Sequence, residues 1–254
     1  MKISIVTVTY NCKSVVKDCL ASVREQSYPG VEHVVIDGAS TDGTLALLQA
    51  HRESLAVIDS EPDDGIYDAM NKGIKRAQGD VIGFLNSDDF YASNAVLSKV
   101  AELFEEDPSL DACYADLVYT DQMDTSRTVR YWRSNDFVPG SFSMGWCPPH
   151  PTFFVRRSVY ERFGGFDLNY RIASDVELMM RFLEVRRVRV RYVPEVWVKM
   201  RMGGVSNKNL KNIFELNQEI LRALRHHGLP ATLAKFFGSK LLSRSMQFLQ
   251  RPSV

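Results

Sequence analysis

Apolar positions along the first hundred residues follow two alternating periods. The runs "ISIVTVTY" (3–10), "VEHVVID" (31–37), "LAVID" (55–59) and "DVIGFL" (80–85) are short, nearly continuous and rich in β-branched residues, as strands buried on both faces are. Between them the spacing becomes helical. Val15, Val16, Cys19, Leu20 and Val23 share one face, "TDGTLALLQA" opens a second helix, and "IYDAMNKGIKRA" reads as a third, with Gly79 as its C-terminal cap. This alternation predicts a parallel sheet with helices on both faces. Beyond Asp107 the pattern changes. "DACYADLVYT" and "SRTVRYW" predict an antiparallel pair, "TFFVR" another strand, "SDVELMMRFLEV" a helix, and "VRVRYV" and "VWVKM" two late strands. From Asn207 the chain reads as mostly helical.

In parallel sheets ligands bind beyond the carboxyl ends of the strands. Three of these strands end in polar clusters: Thr9-Tyr10-Asn11, Asp37-Gly38-Ala39-Ser40 and Asn86-Ser87-Asp88-Asp89. If the strands are parallel, all three lie on one rim. Asp88 and Asp89 are neighbouring carboxylates that repel one another. A solvated turn or a cap before "NAVLSKVAELF" would accommodate them, and so would a divalent cation with a preference for oxygen.

With 254 residues, 45% of them hydrophobic, the chain can bury a large core in one domain with or without an appendage. Zero formal net charge gives no reason to expect nucleic acid as a partner. The charge is uneven, however: residues 1–155 hold 12 Lys/Arg against 23 Asp/Glu, and residues 207–254 hold 8 against 2. The four cysteines form no CxxC pair, which favours a reducing compartment over a structural zinc site. "MKISIVTVTY" lacks the features of a signal peptide, and the longest uncharged stretch, 137–155, carries four prolines. The expectation is a cytoplasmic protein.

Neither GxGxxG after the first strand nor GxxxxGK[ST] is present, which argues against dinucleotide redox chemistry and P-loop phosphotransfer. The stretches "ISIVTVTYN", "VVIDGASTDGT", "SEPDDGIYDAMNKGIKRAQGDVIGFLNSDD" and "GGFDLNYRIASDVELMMRF", in that order and spacing, resemble a family 2 glycosyltransferase of the non-processive type that decorates bacterial polysaccharides and glycolipids. The resemblance implies a GT-A fold: a Rossmann-like, mostly parallel central sheet flanked by helices, with a small antiparallel element and a helical C-terminal extension. The catalytic domain would span 1–206, with a nucleotide-binding part to 107 and an acceptor-binding part from 108, and 207–254 would be the extension.

It also implies roles for individual residues. Thr9, Tyr10, Asp37, Asn71 and Asp88 would bind the nucleotide, and Asp89 would hold Mn2+ or Mg2+. Asp175 would be the base of an inverting transfer from a nucleotide-sugar donor, UDP-linked by preference, to a saccharide or lipid-linked hydroxyl. By its local pattern Asp175 equally belongs to a capping box, Ser174 to Glu177. Arg201 and Ser206 are candidates for the diphosphate. Trp146 and His150 lie in a loop where similar proteins place acceptor-facing residues. On its own, His150 between prolines reads as an exposed loop residue rather than a metal ligand, and Trp146 either stacks on a sugar or fills a packing gap.

Two positions depart from the pattern. Met70 stands where many relatives have arginine, leaving Lys72, Arg76 or a later basic residue to bind phosphate; Gly203 stands where relatives often have a metal-binding histidine. The QxxRW element of processive synthases is absent. In the tail, Leu233, Phe237, Leu241 and Phe248 fall near one helical face amid Lys235, Lys240, Arg244 and Arg251. Residues 231–251 therefore either dock on the protein or on another subunit, or lie on the inner face of a membrane. A nucleotidyltransferase and a non-catalytic binding protein on the same fold are the competing readings.

Overall fold

A computed structural model describes residues 1–203 and 210–249. Strand β1 (Ile3–Thr9) is flanked in parallel by β2 (Val31–Asp37) and β4 (Val81–Phe84), with β3 (Val57–Ser60) parallel outside β2. All seven residues of β1 and all four of β4 are buried, as the uninterrupted apolar runs require. Helices α1 (Val16–Arg24) and α2 (Thr44–Ala50) pack Val16, Leu20 and Leu48 against Val35 of the sheet. Helix α3 (Ile66–Arg76) covers the other face, and its Gly73 lies so close to Val6 that any Cβ would overlap the valine. Helix α3 ends at Arg76, before Gly79. Gly79 does not cap it; it is glycine because a Cβ there would meet the backbone nitrogen and hydroxyl of Ser4 at 2.6 Å.

Among the described residues the second half completes a nine-stranded sheet. Strand β8 (Phe154–Arg156) runs antiparallel between β4 and β6 (Ala112–Thr120). Strand β6 also pairs antiparallel with β7 (Thr128–Trp132), as the pattern predicted, and parallel with β9 (Val190–Arg201), which in turn pairs with the short β5 (Phe90–Tyr91). The two late strands are one bulged strand. The register jumps from Ala115↔Val193 to Asp116↔Val196, leaving Pro194 and Glu195 outside the ladder, where proline's missing N–H costs nothing.

Helix α4 (Val96–Glu106) packs against this sheet through Leu97, Val100 and Phe104, and α5 (Arg157–Phe163) follows β8. Helix α6 (Ser174–Met180) runs into a π turn over 181–185. Helix α7 (Leu210–His226) places Leu216, Ile220 and Leu224 in the same core as Leu178 and Met179 of α6. Helix α8 (Leu233–Leu249) adds Phe236, which is fully buried. The face of α8 that docks is therefore not the one formed by Leu233, Phe237 and Leu241, all of which are exposed. Among the described residues no helix is long and apolar enough to cross a membrane.

Candidate active site

The parallel register sets Thr9 beside Asp37 and Asp37 beside Ser60. The Asp37 carboxylate is fully buried and accepts four bonds: from Thr9 Oγ1 (2.9 Å), Ser40 N (3.0 Å), Ser40 Oγ (2.5 Å) and Ser60 Oγ (2.7 Å). That fills its acceptor positions and makes it the knot joining three strand ends. At the same rim Asn11 and Ala39 adopt left-handed conformations, φ 48° and 57°, unusual for non-glycine residues and common at functional sites. Tyr10 projects from this rim and is 68% exposed.

At the end of β4, Asp89 is fully buried. Burial first and the neighbouring Asp88 second push its carboxyl well above the usual carboxylate range. Burial also raises Asp88, against the opposing field of Arg201. Asp89 Oδ1 and Asn86 Oδ1 are buried with no hydrogen-bond partner among the described residues. Two enclosed, unpaired oxygens beside a second carboxylate suit a hard divalent cation. Among the described residues no three His, Cys, Asp or Glu side chains converge on a point, so such an ion would take its remaining ligands from water or phosphate. Arg201 stands over this turn: its Nη1 donates to the Asp88 carbonyl at 2.8 Å and its Nη2 pairs with Asp18 of α1. Ser206 falls outside the described residues.

Asp175 lies in the first turn of α6, and the capping box around it is not formed. Ser174 Oγ donates instead to the Asp167 carbonyl (2.8 Å), and Glu177 pairs with Arg181 (3.0 Å) and His227 (2.7 Å). Burial opposes ionisation of Glu177, but these two partners hold its carboxyl below the usual range. The backbone N–H groups leading into the helix are taken by a distant residue. Glu219 of α7 accepts from Arg171, Ile172 and Ala173, each at 2.9 Å. From the opposite side the Tyr67 hydroxyl contacts both the Ile172 carbonyl (2.8 Å) and Asp175 Oδ1 (3.0 Å). Neither Tyr67 nor Glu219 was singled out from the sequence; both act across more than forty residues, beyond any local pattern.

A cavity of about 340 Å3 brings Asp88, Asp89, Asp175, Arg201, Trp146 and His150 together. Thr9, Tyr10 and Asp37 do not line it, and neither does Asn71, whose amide is engaged with the backbone of Phe166 (2.8 and 2.9 Å). His150 is not an exposed loop residue. It is 7% exposed, stacked on Phe84 and edge-on to Phe166, because the prolines turn it inward onto the aromatic layer. Trp146 packs within Tyr114, Phe137 and Phe142, and its indole N–H is buried without a partner among the described residues. Met70 and Gly203 line the cavity. Lys72 is held by Glu61 and Asp68, and Arg76 by Asp59. Lys72 and Arg76 do not line the cavity; Arg201 does, as do the later basic residues Arg130 and Lys240.

The family model described as glycosyl transferase family 2 matches residues 4–164. A PGL/p-HBAD biosynthesis glycosyltransferase of Mycobacterium bovis is 32% identical over 209 residues, covering 80% of this chain and 78% of that protein. Among solved structures, Staphylococcus aureus TarS 1–349 in complex with UDP-GlcNAc superposes with a TM-score of 0.68 at 18% identity, over 95% of this chain and 73% of that one. The mannosyltransferase PcManGT of Pyrobaculum calidifontis, in complex with GDP-Man and Mn2+, gives a TM-score of 0.63 at 19% identity, over 99% and 81%. At these identities the structural likeness concerns the fold, which is GT-A.

Proposed function

The chain belongs to glycosyl transferase family 2, and from that premise we propose an inverting, metal-dependent transfer of a sugar from a nucleotide-sugar to a hydroxyl of a saccharide or lipid-linked acceptor, in cell-surface polysaccharide or glycolipid synthesis. The observation that carries the proposal is the convergence of Asp89, Asp175 and Arg201 on one cavity.

In this reading Asp89, with Asn86 beside it, holds Mn2+ or Mg2+, which when bound supplies positive charge to the departing diphosphate. Arg201 adds a fixed cation on the same side. Thr9, Tyr10 and Asp37 form the rim for the nucleotide, with the exposed ring of Tyr10 available for stacking on a base. Because the Asp37 carboxylate is saturated, reading a base edge requires Ser40 or Ser60 to yield its bond. Asn71 contributes by clipping α3 to the loop at Phe166. Asp175 takes the proton from the acceptor hydroxyl as its oxygen attacks the anomeric carbon, and the bond from the anomeric carbon to the diphosphate breaks. Tyr67 and Glu219 keep that carboxylate in place.

UDP is the nucleotide we favour; the TarS complex holds a UDP-sugar, whereas PcManGT holds GDP-Man. Contact with a membrane surface is supported by α8, which has no acidic residue and exposes Leu233, Phe237, Leu241 and Met246. The test is product analysis with a panel of nucleotide-sugars and Mn2+. Release of the nucleoside diphosphate, reduced roughly 10²–10⁴-fold by Asp175→Asn, is expected. Pyrophosphate as the product would favour a nucleotidyltransferase instead, and turnover undiminished in Asp175→Asn would remove the proposed base.

A further inference from the structure

The walls of the cavity differ in chemistry. The lining includes the polar Asp88, Asp89 and Arg201 and, besides them, the apolar Ile172 just before α6, Val176 and Met179 of α6, and Leu216 and Ile220 of α7, none of the apolar five more than 9% exposed. Val176 and Met179 lie within about one turn of Asp175 on the same helix. A glycan with hydroxyls on every face fits such a wall badly, because each hydroxyl pressed against it loses water and gains no partner. An alkyl or aryl group fits it well.

Two polar groups border this side. His150 is 7% exposed and lines the cavity; its carbonyl accepts from Phe153 N–H (2.9 Å), while its imidazole makes no hydrogen bond among the described residues. Its burial disfavours the protonated ring, so it is suited to bonding a neutral hydroxyl rather than a phosphate. The Trp146 indole N–H is another buried group without a partner among the described residues. A mostly apolar pocket with a few unpaired polar atoms is the usual form of a site for an amphiphilic small molecule. The same cavity is bordered by α8 through Lys240 and Gln247, and the outer surface of α8 is apolar at Leu233, Phe237 and Leu241. A chain leaving the cavity along α8 would therefore meet apolar surface.

We propose that the lobe of the cavity lined by apolar residues of α6 and α7 is an acceptor subsite for a hydroxyl carried on an apolar body, an alkyl or aryl glycoside, with His150 as its hydrogen-bonding partner. The assignment rests on Asp175 being the base that receives the acceptor.

The experiment compares octyl and 4-nitrophenyl hexosides with the corresponding free hexoses, by saturation-transfer NMR and titration on the full chain with UDP and Mn2+ present. Glycosides are expected to bind roughly tenfold or more tightly than the parent sugars. Ile220→Trp, and independently Met179→Trp, fill the lobe and are expected to erase that preference. His150→Phe keeps the apolar volume and is expected to weaken every acceptor by roughly tenfold. A separate UDP titration of each variant reports whether its donor side is intact. Equal binding of hexoses and glycosides by the wild type, or a preference that survives both filling substitutions, overturns the proposal. Failure of UDP to bind the wild type, with the glycoside preference intact and lobe-dependent, would count against the donor reading and not against the subsite.

Discussion

The Tyr67 hydroxyl lies 3.0 Å from Oδ1 of Asp175 while also contacting the carbonyl of Ile172, three residues earlier. One phenol on α3 thus fixes both the carboxylate and the strand of backbone that delivers it. Tyr67→Phe preserves the ring stacking on Phe166 and deletes only the hydroxyl with its two contacts. It is expected to lower kcat roughly tenfold with little change in the donor KM, since a hydrogen bond to a charged group contributes about 1.5–3 kcal/mol. Steady-state kinetics with saturating donor checks this. A change confined to donor KM would place Tyr67 on the other side of the cavity.

Glu219 supports the same segment from α7. Its carboxylate accepts three successive backbone N–H groups, which Glu219→Ala would leave without a partner. A loss of about 2–4 kcal/mol in stability is expected. Glu219→Gln, which retains one acceptor oxygen, should lose less. Urea unfolding of the three proteins provides the comparison, and equal midpoints would show that water replaces the carboxylate freely.

These two residues also mark what the sequence reveals and what it does not. The parallel half of the sheet was legible because β1, β2 and β4 are buried on both faces and therefore read as unbroken apolar runs. The shared rim followed from the parallel direction alone. The insertion of β8 between β4 and β6, and the pairing of β6 with β9, depend on contacts between distant segments that leave no periodic trace. The same limit applies at Asp175. Ser174 and Glu177 carry a local capping pattern, but Glu219 supplies the carboxylate from 46 residues beyond Ala173, and Ser174 and Glu177 bond elsewhere. His150 was misjudged because prolines suggest an exposed loop, whereas here the prolines present the ring to Phe84.

The buried Asp89 predicts a pH effect with a definite sign. Its raised pKa means that the folded protein holds this proton at pH values where the unfolded chain has released it. Metal-free stability therefore falls as pH rises from the usual carboxylate range towards the raised value. Asp89→Asn has no proton to lose, so it should gain stability relative to wild type as pH rises above about 4, the unfolded carboxylate value. Mn2+ should stabilise wild type most at the upper end, where the carboxylate is most easily ionised. Urea midpoints measured across that range, with and without Mn2+, give both slopes.

Packing of α3 on the sheet leaves no room at Gly73, where an added Cβ would overlap Val6. Gly73→Ala is expected to destabilise the fold by about 1–3 kcal/mol, despite alanine's better helix propensity. A neutral or stabilising result in thermal unfolding would mean that α3 can withdraw from β1 without loss.

The measurement closest to the central claim is calorimetric titration of UDP into wild type and Asp89→Asn, each with and without Mn2+. The proposed site predicts binding to wild type that requires the metal and is lost in Asp89→Asn. Binding that ignores Mn2+ and survives the substitution would contradict the assignment of Asp89. Absence of binding to wild type with UDP, GDP, dTDP and CMP alike would contradict the nucleotide-sugar site itself.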